Sequence, residues 1–304
     1  MLISIDHGNK QIKTCNKIFT SGYRESDSPP PISDNVLKYR GKYYTVSEKR
    51  FPYLRDKTTD ERFFILSLFA IAFEINERGY YEEDVLPVQL LIGLPPSHFG
   101  AQFERFEKYF TRGEVDEFEF NGRKYEIFIN EVTAYPQAFA AAMPVYSQIS
   151  SYPKVTVIDI GGFTADYLMI KNGQADLSSC DTLENGVIML YNQVIAKVNS
   201  DLDLLLDESD IDAILGDRQT EYGDNVRNIV YESAQVFVND FIGKLRERMI
   251  DLRSGRTVFV GGGSILLRKQ IEASGKVANP IFVDKISANA KGYELLYRMS
   301  KARR

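Results

Sequence analysis

Two aspartates in this chain stand at the ends of short apolar strands and run into glycine turns. One is Asp6, in Leu2-Ile3-Ser4-Ile5-Asp6-His7-Gly8-Asn9-Lys10. The other is Asp159, where Val155 to Ile158 lead into Asp159-Ile160-Gly161-Gly162-Phe163-Thr164-Ala165-Asp166. A carboxylate in that position suits phosphate chemistry. Glycines let backbone N–H groups approach an anion that side chains would exclude, and the strand-end aspartate holds a hydrated divalent cation beside it. An apolar strand also follows each turn, so each reads as a strand–Asp–x–Gly–strand hairpin. Two such hairpins point to two related half-molecules facing one phosphate chain. A third glycine loop, Gly261-Gly262-Gly263-Ser264, follows an apolar strand from Thr257 to Val260 and precedes a helix from Ile265 to Ala273. Strand, glycine turn and helix N-terminus together offer backbone donors to a nucleotide's polar atoms. Taken singly, each feature has a plainer reading: the aspartates as turn caps, Lys13 as a solvated strand residue, the glycines as a strand-to-helix turn. Their repetition in one chain favours the chemical one.

Composition narrows the alternatives. The chain has 304 residues, enough for two domains with separate cores. Its 44% hydrophobic and 26% charged residues are those of a globular protein. A net charge of −5 argues against a general polyanion binder, and the one basic-rich segment is the tail from Arg298 to Arg304. Two cysteines make no disulfide framework, and two histidines supply no zinc cluster. Met1 leads straight into an apolar strand with no charged leader. The longest apolar run, Phe63 to Phe73, is too short for a bilayer. No membrane contact and a cytoplasmic location are expected.

Elements that must position the loops can be read along the chain. The first hairpin covers Leu2 to Lys17, and a polar, proline-bearing loop at Ser26 to Pro31 precedes a strand at Lys42 to Val46. Asp60 to Arg78 has the length of a helix, with Thr59 or Asp60 as cap, and apolar residues almost encircle it. Val88 to Leu94 reads as a strand, Phe99 to Phe110 as a helix, Lys124 to Ile129 as a strand, and the alanine-rich Tyr135 to Met143 as a helix. In the second half, helices are expected at Gly186 to Val198 and Asp224 to Leu252. Between them, Asp201 to Asp217 reads as a solvated short helix and loop. A strand at Ile281 to Val283 and a helix at Asn289 to Met299 close the chain.

The order of these loops resembles that of the actin-like ATPase superfamily. Asp6-x-Gly8 with Lys13 resembles its first phosphate loop, Asp159 to Asp166 its second, and Val260 to Ser264 its adenosine loop. Asn130-Glu131-Val132-Thr133-Ala134-Tyr135 resembles the segment that connects the two domains, and Asn289-Ala290-Lys291-Gly292 the segment that returns. Within the superfamily the chain is most similar to ParM/StbA-type plasmid-segregation actins. The supporting details are a hairpin opening at residue 2, a strand ending in Gly93-Leu94-Pro95, and Thr182 to Gly186 before a helix. The position after Gly8, commonly Ser or Thr, is Asn9, which still offers a donor to phosphate.

That resemblance implies an α/β fold: two duplicated ribonuclease H-like domains, 1–151 with 286–304 and 152–285, with nucleotide in the cleft between them. It implies hydrolysis of ATP, with GTP a further candidate, using Mg²⁺ held through water by Asp6 and Asp159. Lys13 would reach a β/γ phosphate oxygen. Gly8, Asn9, Gly161, Gly162, Phe163 and Thr164 would cradle the phosphates, and Gly261, Gly262, Gly263 and Ser264 would face the adenosine. Glu184 is a candidate for the ribose. Glu131 would orient the attacking water, in a reaction where positioning and charge neutralisation carry most of the catalysis. Partners implied are further copies of the chain, in a filament, and a ParR-type DNA-binding adaptor, with no direct nucleic-acid binding. Two other functions remain open on the same fold: a small-molecule kinase, and a chaperone-type or cell-division scaffold.

Overall fold

The structure, a computed structural model, describes residues 1–31, 34–79 and 85–302. The chain divides into two compact units, Met1–Met143 with Ser287–Arg304, and Pro144–Ile286. The first crossing therefore falls at 143/144, ahead of the 151/152 boundary expected from sequence.

The first unit opens with β1 (Leu2–Ser4), β2 (Asp6–His7), β3 (Gln11–Lys13), β4 (Ile18–Thr20), β5 (Tyr23–Ser26), β6 (Val36–Tyr39) and β7 (Lys42–Val46). Helix α1 (Arg62–Arg78), β8 (Leu86–Leu94), α2 (Pro96–Phe110), β9 (Val115–Phe120), β10 (Arg123–Pro136) and α3 (Phe139–Ala142) follow. Seven strands form one sheet in the order β1-β8-β10-β9-β6-β7-β5, and β2-β3-β4 form another. The expected first hairpin is cut at Ile5. Its first strand runs parallel to β8, with Leu2 opposite Gln89, while Asp6 pairs with Lys13 in the small sheet. The Ile5 amide still donates to the Leu91 carbonyl at 2.8 Å, so the aspartate emerges from a fixed strand end.

Helix α1 is buried without a break from Phe63 to Ala72, in one apolar cluster with Ile3, Val88, Ile92, Phe118 and Ile127. A helix apolar all round is stable only inside such a core. Upstream, Asp60 Oδ1 accepts the Arg62 amide; downstream, Gly79 takes φ 66° and closes the helix through its N–H. Helix α2 begins three residues before Phe99, because Pro96 fits the first turn, where its missing N–H costs nothing.

The largest departure from expectation lies at Tyr135 to Met143. Strand β10 continues through a bulge between Ile129 and Glu131 and pairs Tyr135 with Gly93 and Pro136 with Leu94. Only Phe139–Ala142 is helical. Pairing with the buried strand β8 keeps Tyr135 and Pro136 extended, so the helix starts only where the alanines follow, at Phe139.

The second unit contains α4 (Tyr146–Ile149), β11 (Lys154–Ile160), β12 (Ala165–Lys171), β13 (Gln174–Leu183) and α5 (Val187–Leu202). It continues with α6 (Glu208–Leu215), α7 (Asp224–Glu247), β14 (Arg256–Val260), α8 (Gly262–Leu266), α9 (Arg268–Ala273) and β15 (Pro280–Phe282). The sheet order is β13-β12-β11-β14-β15. Helices α5 and α7 contribute Leu190, Val194, Val230 and Phe237 to a core that also holds Ile158 and Phe259. Helix α7 stops at Glu247, short of Leu252, and Met249 then takes φ 62°. The acidic stretch from Asp201 includes α6, started by a capping box on Asp207 and anchored by buried Ile211, Ile214 and Leu215. Helix α10 (Ala288–Ala302) returns to the first unit; the tail residues Arg303 and Arg304 lie outside the described chain. Among the described residues no helix is long and apolar enough to cross a membrane.

Candidate functional site

In the first unit the β2–β3 turn brings Asp6 and Lys13 opposite each other, and Lys13 Nζ stands 3.2 Å from Asp6 Oδ2. Asp6 is only 3% exposed. Its other oxygen, Oδ1, accepts from Gln137 Nε2 at 2.7 Å. Gly8 is needed in the turn, since a Cβ there would lie 2.5 Å from the Gln11 carbonyl oxygen. Asn9 is oriented by its surroundings: its Oδ1 accepts the Leu54 amide at 3.0 Å, which assigns the carboxamide nitrogen as the donor left for an anion.

His7, between the aspartate and the glycine, is fully buried. Its ring stacks on Phe110 at 5.0 Å and meets the edges of Phe106 and Phe63, and Nε2 pairs with Ser67 Oγ at 2.7 Å. Burial, reinforced by the Lys57 charge, pushes its pKa well below 6.5. His7 is therefore a neutral post that fixes the loop to α1 and α2.

Gln137 was not picked out by sequence reasoning, and its setting is distinctive. Its amide donates to the Leu94 carbonyl at 2.8 Å, continuing the β10–β8 pairing by one residue. The next residue, Ala138, is buried at φ 60°, ψ −57°. The Phe139 amide closes back on the Gln137 carbonyl at 2.6 Å, the strained three-residue turn that L-residues rarely adopt. Asn289, from the start of α10, accepts the Ala138 amide at 3.1 Å, and a Cβ on Gly292 would lie 1.9 Å from the Ala140 carbonyl oxygen. So α3 and α10 meet where only glycine fits, and their contact holds Gln137 against Asp6. The one available signal was Pro136, which ends the strand and makes the next residue the first free to turn.

Glu131 lies elsewhere. It pairs with Gln89, at the level of Leu2, and lies six residue steps from Gln137, about 20 Å along an extended strand. Its side chain is 40% exposed, receives Gln89 Nε2 at 3.3 Å and faces Lys301 Nζ at 4.0 Å. The first unit thus brings Asp6, Gly8, Asn9 and Lys13 together with Gln137 and leaves Glu131 apart.

In the second unit the glycine turn after β11 is tied to the start of α5. Gly186, Val187 and Ile188 donate their amides to the carbonyls of Phe163, Gly161 and Gly162 at 3.0, 3.1 and 2.9 Å. A Cβ on Gly186 would lie 2.2 Å from the Gly162 carbonyl oxygen. Thr164 closes the turn by accepting the Gly161 amide at 2.8 Å. Strand β14 runs parallel to β11, with Val260 opposite Asp159. Gly261, at φ 86°, then passes so close that a Cβ would lie 2.2 Å from Asp159 Oδ1. Gly263 packs equally tightly on Ile160 and Val187. Asp159, Gly161 to Thr164 and Gly261 to Ser264 are therefore one cluster. Ser264 is 1% exposed, and its hydroxyl has no hydrogen-bond partner among the described residues. Glu184 is exposed at the end of β13. Next to it, buried Asn185 accepts from Lys244 Nζ at 3.0 Å through Oδ1, while its amide nitrogen has no partner among the described residues.

In each unit a strand-end carboxylate beside a backbone passage that admits only glycine suits phosphate, and in the second the orphaned buried Ser264 hydroxyl suits a polar group. No group of three or more metal-ligating side chains occurs among the described residues. A hydrated cation that keeps most of its waters needs no such group.

Residues 4–139 match the family model for the N-terminal domain of actin-like proteins, and residues 157–273 match that for the C-terminal part of the archaeal actin homologue MreB-like. No curated protein sequence matches the chain. Among solved structures, the actin-like protein Alp7A superposes with a TM-score of 0.76 at 15% identity, covering 100% of this chain and 98% of that one. The archaeal actin homologue Ta0583, in complex with ADP, gives 0.74 at 18% identity, covering 98% and 99%. A 15-stranded ParM filament from Clostridium botulinum gives 0.73 at 19% identity, also covering 98% and 99%. At these identities the likeness is one of fold.

Proposed function

The chain belongs to the actin-like superfamily, and from that premise we propose that it binds and hydrolyses ATP and that turnover governs assembly of its own filaments. The carrying observation is the Asp6 cluster. A buried carboxylate is held between a lysine and a carboxamide, at a turn where only glycine fits. The Asp159–Gly261 cluster supplies the same chemistry from the second unit.

The loops of the first unit and those of the second each present groups that suit a nucleotide. Asp6 and Asp159 would hold Mg²⁺ through water, and the ion would neutralise phosphate charge. Lys13 carries a positive charge to the β/γ phosphates. Gly8 and Gly161 shape turns that leave room for phosphate, and the backbone amides of Gly162, Phe163 and Thr164, with the Asn9 carboxamide, orient its oxygens. Gly261 to Gly263 give the nucleoside a close backbone surface, and Ser264 supplies a hydroxyl. Glu184 is the ribose candidate.

Gln137, and not Glu131, positions the attacking water. A carboxamide is a weak base, so its contribution is orientation, through a carbonyl oxygen that accepts from water while the nitrogen is held by Asp6. GTP enters the same site if the base is read only through backbone contacts.

Relatives of the same fold are described as a ParM filament and an Alp12 filament, which supports self-assembly here. Within that reading the filaments move plasmid DNA in the cytoplasm, and a basic adaptor of ParR type links filament to DNA. Isothermal titration with ATP and ADP, with and without Mg²⁺, tests the site. Binding that needs Mg²⁺ and is lost in Asp159→Ala is expected. Equal binding by that variant contradicts the assignment.

A further inference from the structure

Two groups of apolar side chains in the described structure stand in water with opposite electrostatic surroundings. The first is the loop between α5 and α6, where Leu204 is 42% and Leu205 80% exposed. Single exposed leucines are ordinary on a protein surface, but this pair sits between anchored neighbours. Asp203 caps α5 in the left-handed region at φ 55°, Leu206 is anchored in the core at 6% exposure, and Asp207 starts the capping box of α6. Exposed carboxylates at Asp201, Asp203 and Asp207 flank it.

The second group lies on the outer face of α10. Leu295 and Met299, one turn apart, are 40% and 39% exposed. Beside them Arg298, with a side chain 71% exposed, lies within 3.5 Å of Glu294 on the same helix. An apolar knob flanked by carboxylates and an apolar stripe flanked by an exposed arginine thus sit on the same chain.

Resting on the filament reading above, we propose that Leu204 and Leu205 of one copy pack on the Leu295–Met299 face of the next, with the loop carboxylates against Arg298. The two surfaces differ, so the contact is heterologous. Repeated without closure, such a contact generates an open polymer, not a dimer. Charge complementarity sets the direction of docking, and the apolar centre supplies most of the affinity.

Sedimentation of the full-length chain with a slowly hydrolysed ATP analogue tests this through Leu205→Asp and Leu295→Asp. Both positions are exposed, so both variants are expected to bind nucleotide like wild type, which serves as the folding control. Each is predicted to raise the critical concentration for pelleting at least about tenfold, as burial of a leucine against a charged replacement demands. Arg298→Glu is predicted to raise it about two- to fivefold, and adding Asp201→Lys to recover most of that loss. Wild-type pelleting by Leu205→Asp overturns the proposal. So does wild-type pelleting by Leu295→Asp, which assigns the α10 face to some other partner. A wild-type chain that never pellets withdraws the assembly reading itself, and this contact with it.

Discussion

Gln137 is held from three directions: by Asp6 at its side chain, by Leu94 at its amide and by the strained turn at Ala138 behind it. Such over-determination is what a water-positioning group needs. Gln137→Ala is predicted to retain nucleotide affinity while phosphate release slows by roughly 10²-fold or more. Glu131→Ala should release phosphate within about twofold of wild type, as expected for a surface change away from the site. A single-turnover phosphate assay on both variants decides between them, and a slow Glu131→Ala with a normal Gln137→Ala reverses the assignment. The sequence made the aspartates, glycines and Lys13 legible because each type carries its chemistry in its own identity. Gln137 was hidden because the strand end that sets it against Asp6 could not be read from the sequence. His7 gives a further test. Its folded-state pKa lies well below the ordinary 6.5 because burial disfavours the charged ring. The stability it contributes is therefore present above pH 6.5 and lost as pH falls from there toward the folded value, at up to about 1.4 kcal/mol per pH unit. His7→Phe keeps the aromatic packing and leaves Ser67 its bond to the Phe63 carbonyl. Its melting temperature should fall less than that of wild type between pH 7 and 5.5. Parallel curves would show that His7 is not the group being titrated.

At the scale of elements, the contact between α3 and α10 holds Gln137 and its neighbours. Gly292→Ala would place a methyl group 1.9 Å from the Ala140 carbonyl oxygen. Such overpacking costs about 1–3 kcal/mol, so a clear drop in melting temperature should appear by calorimetry, with slower phosphate release because Gln137 loses its backing. A variant with unchanged melting temperature and turnover would mean that α10 moves away without consequence. Most elements were readable from periodicity: α1 from its encircling apolar residues, β11 and β12 from their Asp–Gly turn, α7 from its unbroken length. Strand β10 beyond Ile129 was not, because a bulge breaks its alternation there and the alanine-rich run just past it reads as helix. Strand β9, with its alternation of charged and aromatic residues, and strand β13, with its bulge and polar outer face, gave weak local signals that the sheets resolved.

For the molecule as a whole, net charge and assembly make separate predictions. With a charge of −5, the purified chain should not retard duplex DNA at about 150 mM salt, where non-specific phosphate binding is weak. Sequence-specific retardation by the chain alone would remove the need for an adaptor. Nucleotide-driven assembly is the central claim, and one measurement reaches it directly: light scattering and phosphate release recorded together after Mg²⁺-ATP is added to the purified chain over a wide concentration range. The predicted result is a sharp concentration threshold above which scattering rises, followed by phosphate release and then decay of the signal as nucleotide is consumed. With a slowly hydrolysed analogue, scattering should rise and persist. Scattering that stays flat at every concentration and with every nucleotide, while phosphate is still released, would contradict the account and leave an enzyme of actin-like fold that acts on a separate substrate.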